Sequence, residues 1–238
     1  MAENSSGAEG GRQAAKRSAR PMLPRAVVEG HRRRRILTSL TEVAHEEGCA
    51  EVPAAKIIDQ AQMSRNAFYD LFDSKAECLQ FCFEEAFQLL FEPVQAASES
   101  TDPWVERVRA GLEVLFARIA AKPLLAELSL VHSRGLGDVT LAAGHNYEAA
   151  VTTMINLLAG GRDAGGEVLG DEYQDPPPAA EEFLSQAILS LAVLRIKQGQ
   201  VKALRSQRDE MMILVSTPFF GLDGALRASR WAVLDSNQ

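Results

Sequence analysis

Residues 53–79, PAAKIIDQAQMSRNAFYDLFDSKAECL, leave this chain fewer conformational choices than any other stretch. Ile57, Ile58 and Ala61 fall on one face of a short helix. Pro53 suits its first turn, because a proline there gives up an N–H that has no partner inside the helix. Gln62 and Met63 mark a tight turn. Ser64 is then placed to accept a hydrogen bond from the first amides of a second short helix through Arg65, Asn66, Ala67, Phe68 and Tyr69. Phe68 and Phe72, four apart, can pack on Ile57, Ile58 and Met63, which leaves Arg65, Asn66, Tyr69 and Asp70 outside. Two short helices about a three- to four-residue turn form a helix-turn-helix, whose second helix fits the DNA major groove.

The flanks extend this pattern. Ile36, Leu37, Leu40, Val43 and Ala44 recur at helical spacing, so a helix is expected over 29–47, stopped by Gly48. Ser74 with Glu77 three residues on is a capping box that opens a further helix. Lys75 lies in its first turn, where it and the free backbone amides can hold a phosphate. From Cys78 to Phe91 apolar side chains wrap most of the circumference. This helix is therefore expected to lie buried between a DNA-reading head and a second bundle, and to end at Pro93.

Charge agrees with one end meeting phosphate. Residues 1–35 hold nine Arg or Lys against three Glu, a net of +6, while the whole chain is at −7, so the rest sums to −13. Residues 32–35 are four arginines at the start of a helix, where the dipole favours acids; a phosphate backbone would compensate. Residues 1–28 lack apolar periodicity and are expected to be disordered when free, either a solvated tail or a basic arm along DNA. No apolar run reaches the roughly 18 residues of a membrane span, and the N-terminus lacks a secretory core, so a cytoplasmic protein with no membrane partner is expected. Cys49, Cys78 and Cys82 are too few for a disulfide framework and read as buried thiols.

Over about 45 gapless positions the chain resembles the tetracycline-repressor (TetR) family of bacterial regulators. The matching residues are the 36–48 helix, Ile57 and Ala61, Met63-Ser64, Phe68-Tyr69, Phe72, and Ser74-Lys75 with Leu79. Gln62 stands where the family usually has the turn glycine, Ile58 where it has alanine, and Pro53 where it has a threonine. The resemblance implies an all-α fold. Residues 29–77 would be the DNA-binding head (motif about 52–71), and 78–238 a helical ligand-binding and dimerisation bundle. It also implies a homodimer on a palindromic double-stranded operator, with repression released by an apolar or amphipathic small molecule. Arg65 and Asn66 would read bases; Arg34, Arg35, Pro53, Ser64, Tyr69 and Lys75 would contact or position the backbone. Phe87, Phe91, Trp104, Phe116 and Met154 are the candidate ligand-lining residues, although aromatic and Met side chains at helical spacing also serve as plain core.

The remaining sequence independently reads as helices. Asp102 and Pro103 open one that includes Trp104, Val108, Leu112, Leu115, Phe116 and Ile119; Pro123 starts another with Leu124, Leu125, Leu128 and Val131. Further helices are expected over 139–158, 181–197 and 209–216; the family resemblance makes 181–197 and 207–217 the candidates for the dimer interface. Residues 160–179, rich in Gly, Pro and acids, are expected to form a mobile loop. No catalytic residue, metal site or cofactor is expected. The four histidines are scattered, His132-Ser133 has no acidic partner, and the Gly pairs lack a phosphate-loop context. The alternative reading is a helical ligand-binding or interaction protein with a degenerate helix-turn-helix.

Overall fold

The computed structural model describes residues 24–49, 52–134 and 141–235, all helix and connecting turns with no strand among them. The expected arm at 1–23 lies outside the described residues. Helix α1 (Arg25–Glu47) begins earlier than expected, at Pro24, so residues 25–28 are its first turn and not part of an arm. Arg25 pairs with Glu29 one turn on, at 2.6 Å. The arginine run costs α1 about 0.3–1 kcal/mol per charge near the dipole's positive end. Burial of Ile36, Leu37, Leu40 and Val43, each worth about 1.5–3 kcal/mol, outweighs it.

Helices α2 (Ala54–Gln60) and α3 (Arg65–Tyr69) form the motif. Ser64 caps α3 as its spacing predicts, the hydroxyl accepting from the Ala67 amide at 3.2 Å. Ser74 caps α4 (Lys75–Ser98) by accepting from the Glu77 amide at 3.1 Å. Glu77 reaches back to the Asp73 amide, one residue before the cap. Pro93 does not end α4, contrary to expectation: the helix runs through it, with Leu90, Phe91 and Val94 buried about the proline. Packing of that apolar face against neighbouring helices outweighs the one backbone bond that proline removes.

The body continues with α5 (Trp104–Ala121), α6 (Pro123–Leu130), a 3-10 turn at His132–Arg134 and α7 (Leu141–Leu158). Residues 139–140 of the expected helix lie outside the described residues. Asp102 does not cap α5; its carboxylate accepts instead from the Ser100 hydroxyl at 2.7 Å. Two apolar cores result. The head core gathers Ile36, Leu40, Ile57, Phe68 and Phe72 with Cys78, Leu79, Cys82 and Phe83 of α4 and Leu125 and Leu128 of α6. The body core holds Leu90, Phe91 and Val94 of α4 with Val108, Leu112, Phe116, Met154 and Ile188. α4 and α6 therefore belong to both.

The 160–179 segment overturns the mobile-loop expectation. It folds as α8 (Gly161–Leu169) followed by a 3-10 turn at Gly170–Glu172. Arg162 ties it down: the guanidinium donates to Glu181 at 2.9 Å, Asp175 at 2.7 Å and the carbonyls of Pro176 and Pro177, each at 2.8 Å. Gly165 lets α8 touch α11 (Arg208–Asp235), for a Cβ there would stand 2.3 Å from the Phe219 carbonyl oxygen. The chain reaches α11 through α9 (Ala180–Lys197) and the short α10 (Ala203–Ser206). α11 breaks at Gly221 (φ 64°), near the end expected from the sequence, but resumes to Asp235.

Gly165→Ala is expected to destabilise the chain by about 1–3 kcal/mol, because backbone and not a flexible side chain fills the space. Gly166→Ala, whose Cβ meets only the Tyr173 ring at 3.8 Å, is expected to stabilise by up to about 1 kcal/mol through helix propensity. Denaturant unfolding of the two variants checks the pair.

Candidate nucleic-acid interface

The short α3 turns its apolar side, Phe68, into the head core and leaves Arg65, Asn66, Tyr69 and Asp70 exposed, as expected. Tyr69 is 51% exposed, and its ring meets Phe68 edge-on with centroids 5.3 Å apart. That contact fixes the ring and leaves the phenol free to donate. Pro53, at the N-cap of α2, is exposed. Lys75 is the first residue of α4, half-buried, beside the amides of a long helix's first turn. The structure therefore leaves the polar side chains of α3 exposed, along with Pro53 at the start of α2, and Lys75 half-buried at the start of α4.

The motif turn is held by a side chain from α1. Gln62 adopts a left-handed conformation (φ 49°), which a non-glycine residue takes up at a cost of about 1–2 kcal/mol. The Arg35 guanidinium donates to the carbonyls of Ala61 and, at 2.7 Å, Gln62. It neutralises the end of α2 while pinning the strained residue. Arg35 thus braces the turn from within the head.

The arginine run divides by face. Arg33 lies over the rings of Phe72 and Phe81, 5.0 and 4.9 Å from their centroids, a contact worth about 0.5–2 kcal/mol. Arg34 is exposed, and its side chain has no partner among the described residues. Sequence reasoning treated the run as one charged block and missed these bracing roles. The signal was present: Arg33 shares the helical face of Ile36, Leu37 and Leu40.

The ligand-lining candidates belong to or pack against the body core. Phe91, Phe116 and Met154 are fully buried, Phe87 is half-buried and stacks on Phe91 with centroids 5.0 Å apart. Trp104 packs on Phe219 and Phe220, and its indole donates to the Leu158 carbonyl at 2.9 Å. The cysteines are buried. Burial pushes the Cys49 thiol up to about 11; a hydrogen bond in which the Cys82 thiol donates to Cys78, then burial, raises Cys82 well above its ordinary range.

Head and body also meet through ionisable groups. His45 of α1 lies 2.7 Å from the Glu127 carboxylate of α6, whose other oxygen is 3.9 Å from His132. Burial lowers the His132 pKa below 6.5; Glu127 opposes this, while His45 and Lys197 add to it.

Among the described residues the chain is a helical helix-turn-helix protein with no helix long and apolar enough to cross a membrane. Residues 36–81 match the family model described as bacterial regulatory proteins, tetR family. The match places a tetR-type DNA-binding head at these residues, and the chain is a DNA-binding transcriptional regulator. Solved structures share its fold. The fatty acid degradation regulator FadR from Bacillus halodurans matches with a TM-score of 0.64 at 16% identity, over 81% of this chain and 97% of that one. FadR from Bacillus subtilis, in complex with stearoyl-CoA, matches at 0.61 and 17% identity, over 79% and 98%. A TetR-like regulator from Rhodococcus sp. RHA1 matches at 0.58 and 18%, over 89% and 99%. No curated protein sequence matches the chain.

The lowered His132 pKa means that the unfolded chain binds more protons near pH 6 than the folded one. Its contribution to stability is therefore complete above about pH 6.5 and is lost as pH falls through the folded pKa. In His132→Gln the denaturation midpoint is expected to fall less steeply below pH 6.5 than in the native chain.

Proposed function

We propose that the chain is a homodimeric repressor of a palindromic operator, released when a small apolar or amphipathic molecule enters the body. The observation that carries this reading is the exposed trio Arg65, Asn66 and Tyr69 on a buried-backed α3, with Lys75 at the start of α4. Arg65 is assigned to a guanine or a phosphate and Asn66 to an adenine, while Tyr69, Ser64, Pro53, Lys75 and Arg34 set position on the backbone. Arg35 acts through the motif turn. The head is taken as 29–77 and the effector and dimerisation part as 78–238.

Exposed apolar side chains support a partner copy. On α9, Phe183 is 71% exposed, with Ala187 and Leu194 further along the helix also exposed; α11 exposes Leu214 and Leu222. Two copies joined there would carry two α3 helices, which must lie about 34 Å apart to enter successive major grooves. The effector proposal draws on the stearoyl-CoA bound by the Bacillus subtilis neighbour. Phe87, Phe91, Trp104, Phe116 and Met154 would line the space such a molecule opens, displacing the body half of α4 and with it the head.

Selection of bound duplexes from a random pool, followed by salt titration on the winners, tests the reading. A palindrome is expected. Arg65→Ala should weaken binding by about 1–3 kcal/mol and relax one base position, whereas Lys75→Ala should weaken all duplexes alike and lower the salt slope by about 1. Weak, sequence-blind binding by the native chain would favour a degenerate head. Separately, Phe183→Glu with Leu214→Glu is expected to convert the dimer to a monomer in analytical ultracentrifugation with helicity retained.

A further inference from the structure

A cleft lies at the seam between head and body, away from the proposed effector core. It encloses about 510 Å³, within the range of small-molecule sites. α1 forms one wall with Leu37, Thr38 and Thr41, α4 another with Leu89, and the start of α6 a third with Pro123, Leu124 and Leu125. The surface is mainly apolar, yet three charged residues line it: Arg34, Lys122 and Glu85. The side chains of all three lack an ion pair or hydrogen bond among the described residues. An apolar trough with two unpaired cations and one carboxylate matches a single acyl-like chain bearing one anionic headgroup. A cationic amphiphile would leave both cations opposed by like charge.

We propose that this seam is a second ligand site, for an amphiphilic monoanion whose chain lies between α1, α4 and α6 and whose headgroup sits with Arg34 and Lys122. Its three walls are the three helices that join the head to the body, since α4 and α6 contribute side chains to both cores. An occupant would wedge the seam and set the angle of the head. It would also compete with DNA phosphate for Arg34, so occupancy should weaken operator binding. That last consequence rests on the regulator reading; binding itself does not.

Dodecanoate is a suitable probe, with dodecyltrimethylammonium as the same chain carrying the opposite charge. Calorimetric titration of the full chain is expected to show a dodecanoate site at one per chain, at least tenfold tighter than any site for the cation. Lys122→Glu reverses the rim charge at an exposed position, and Thr38→Trp fills the trough from an exposed position of α1. Each should weaken that site at least tenfold, with circular dichroism and melting unchanged. Lys122→Glu should also improve binding of the cation. No dodecanoate site in the native chain, an equal preference for the cation, or an unchanged affinity in either variant would overturn the proposal. A chain that binds dodecanoate this way but selects no duplex would sink the repressor reading and leave the seam site standing.

Discussion

Because α4 gives Cys78, Leu79, Cys82 and Phe83 to one core and Leu90, Phe91 and Val94 to the other, the head cannot move without disturbing the body. Close-packed interiors resist continuous deformation, so a rigid helix shared by two cores transmits displacement as a shift between discrete packings. α6 repeats the arrangement over a shorter span, with Leu125 and Leu128 in the head core and Ala126 and Leu130 in the body core. The continuous helix through Pro93 matters here. A break at that residue would decouple the half of α4 that meets the body core from the half that carries Lys75.

Charge is partitioned as the mechanical role of each residue requires. A run of four arginines could have repelled its own helix open. Instead Arg33 spreads over two aromatic faces and Arg35 sits on the carbonyls that end α2, so two of the four charges stabilise the head. Arg34 remains exposed. Bracing the left-handed Gln62 by Arg35 also explains how the motif keeps its turn without the glycine usual in related sequences. The strain of about 1–2 kcal/mol is comparable to what a charge-assisted pair of hydrogen bonds returns.

How much of this was legible in the sequence depended on the range of the interaction. The caps at Ser64 and Ser74, the outward face of α3 and the buried thiols follow from contacts within a few residues, and periodicity revealed them. α8 was hidden because GGRDAGGEVL has weak helix propensity; the helix forms where Gly165 meets the Phe219 carbonyl and Arg162 reaches Glu181, partners remote in sequence. Pro93 was read as a stop by a local rule that tertiary packing overrides. The roles of Arg33 and Arg35 needed the positions of Phe81 and Gln62 in space, although the face of Arg33 was visible in its spacing to Ile36 and Leu40. Of the candidate site, the exposed residues were legible and the seam cleft was not, since its walls come from three separated segments.

The position of the seam changes what a ligand signal can mean for such a chain. A molecule in the body core can reach the head only by way of α4 and α6, so its effect is bounded by its differential affinity for two packings of those helices. A molecule in the seam touches α1, α4 and α6 directly and also faces the exposed Arg34. The first works by redistributing conformations, the second by conformation and by competition for an anion site. The His45–Glu127 pair crosses the same seam, but a half-exposed ion pair is worth about 1 kcal/mol at most. The link it provides is therefore weak enough for either ligand to override, and the apolar packing shared by α4 and α6 is what a ligand must actually move.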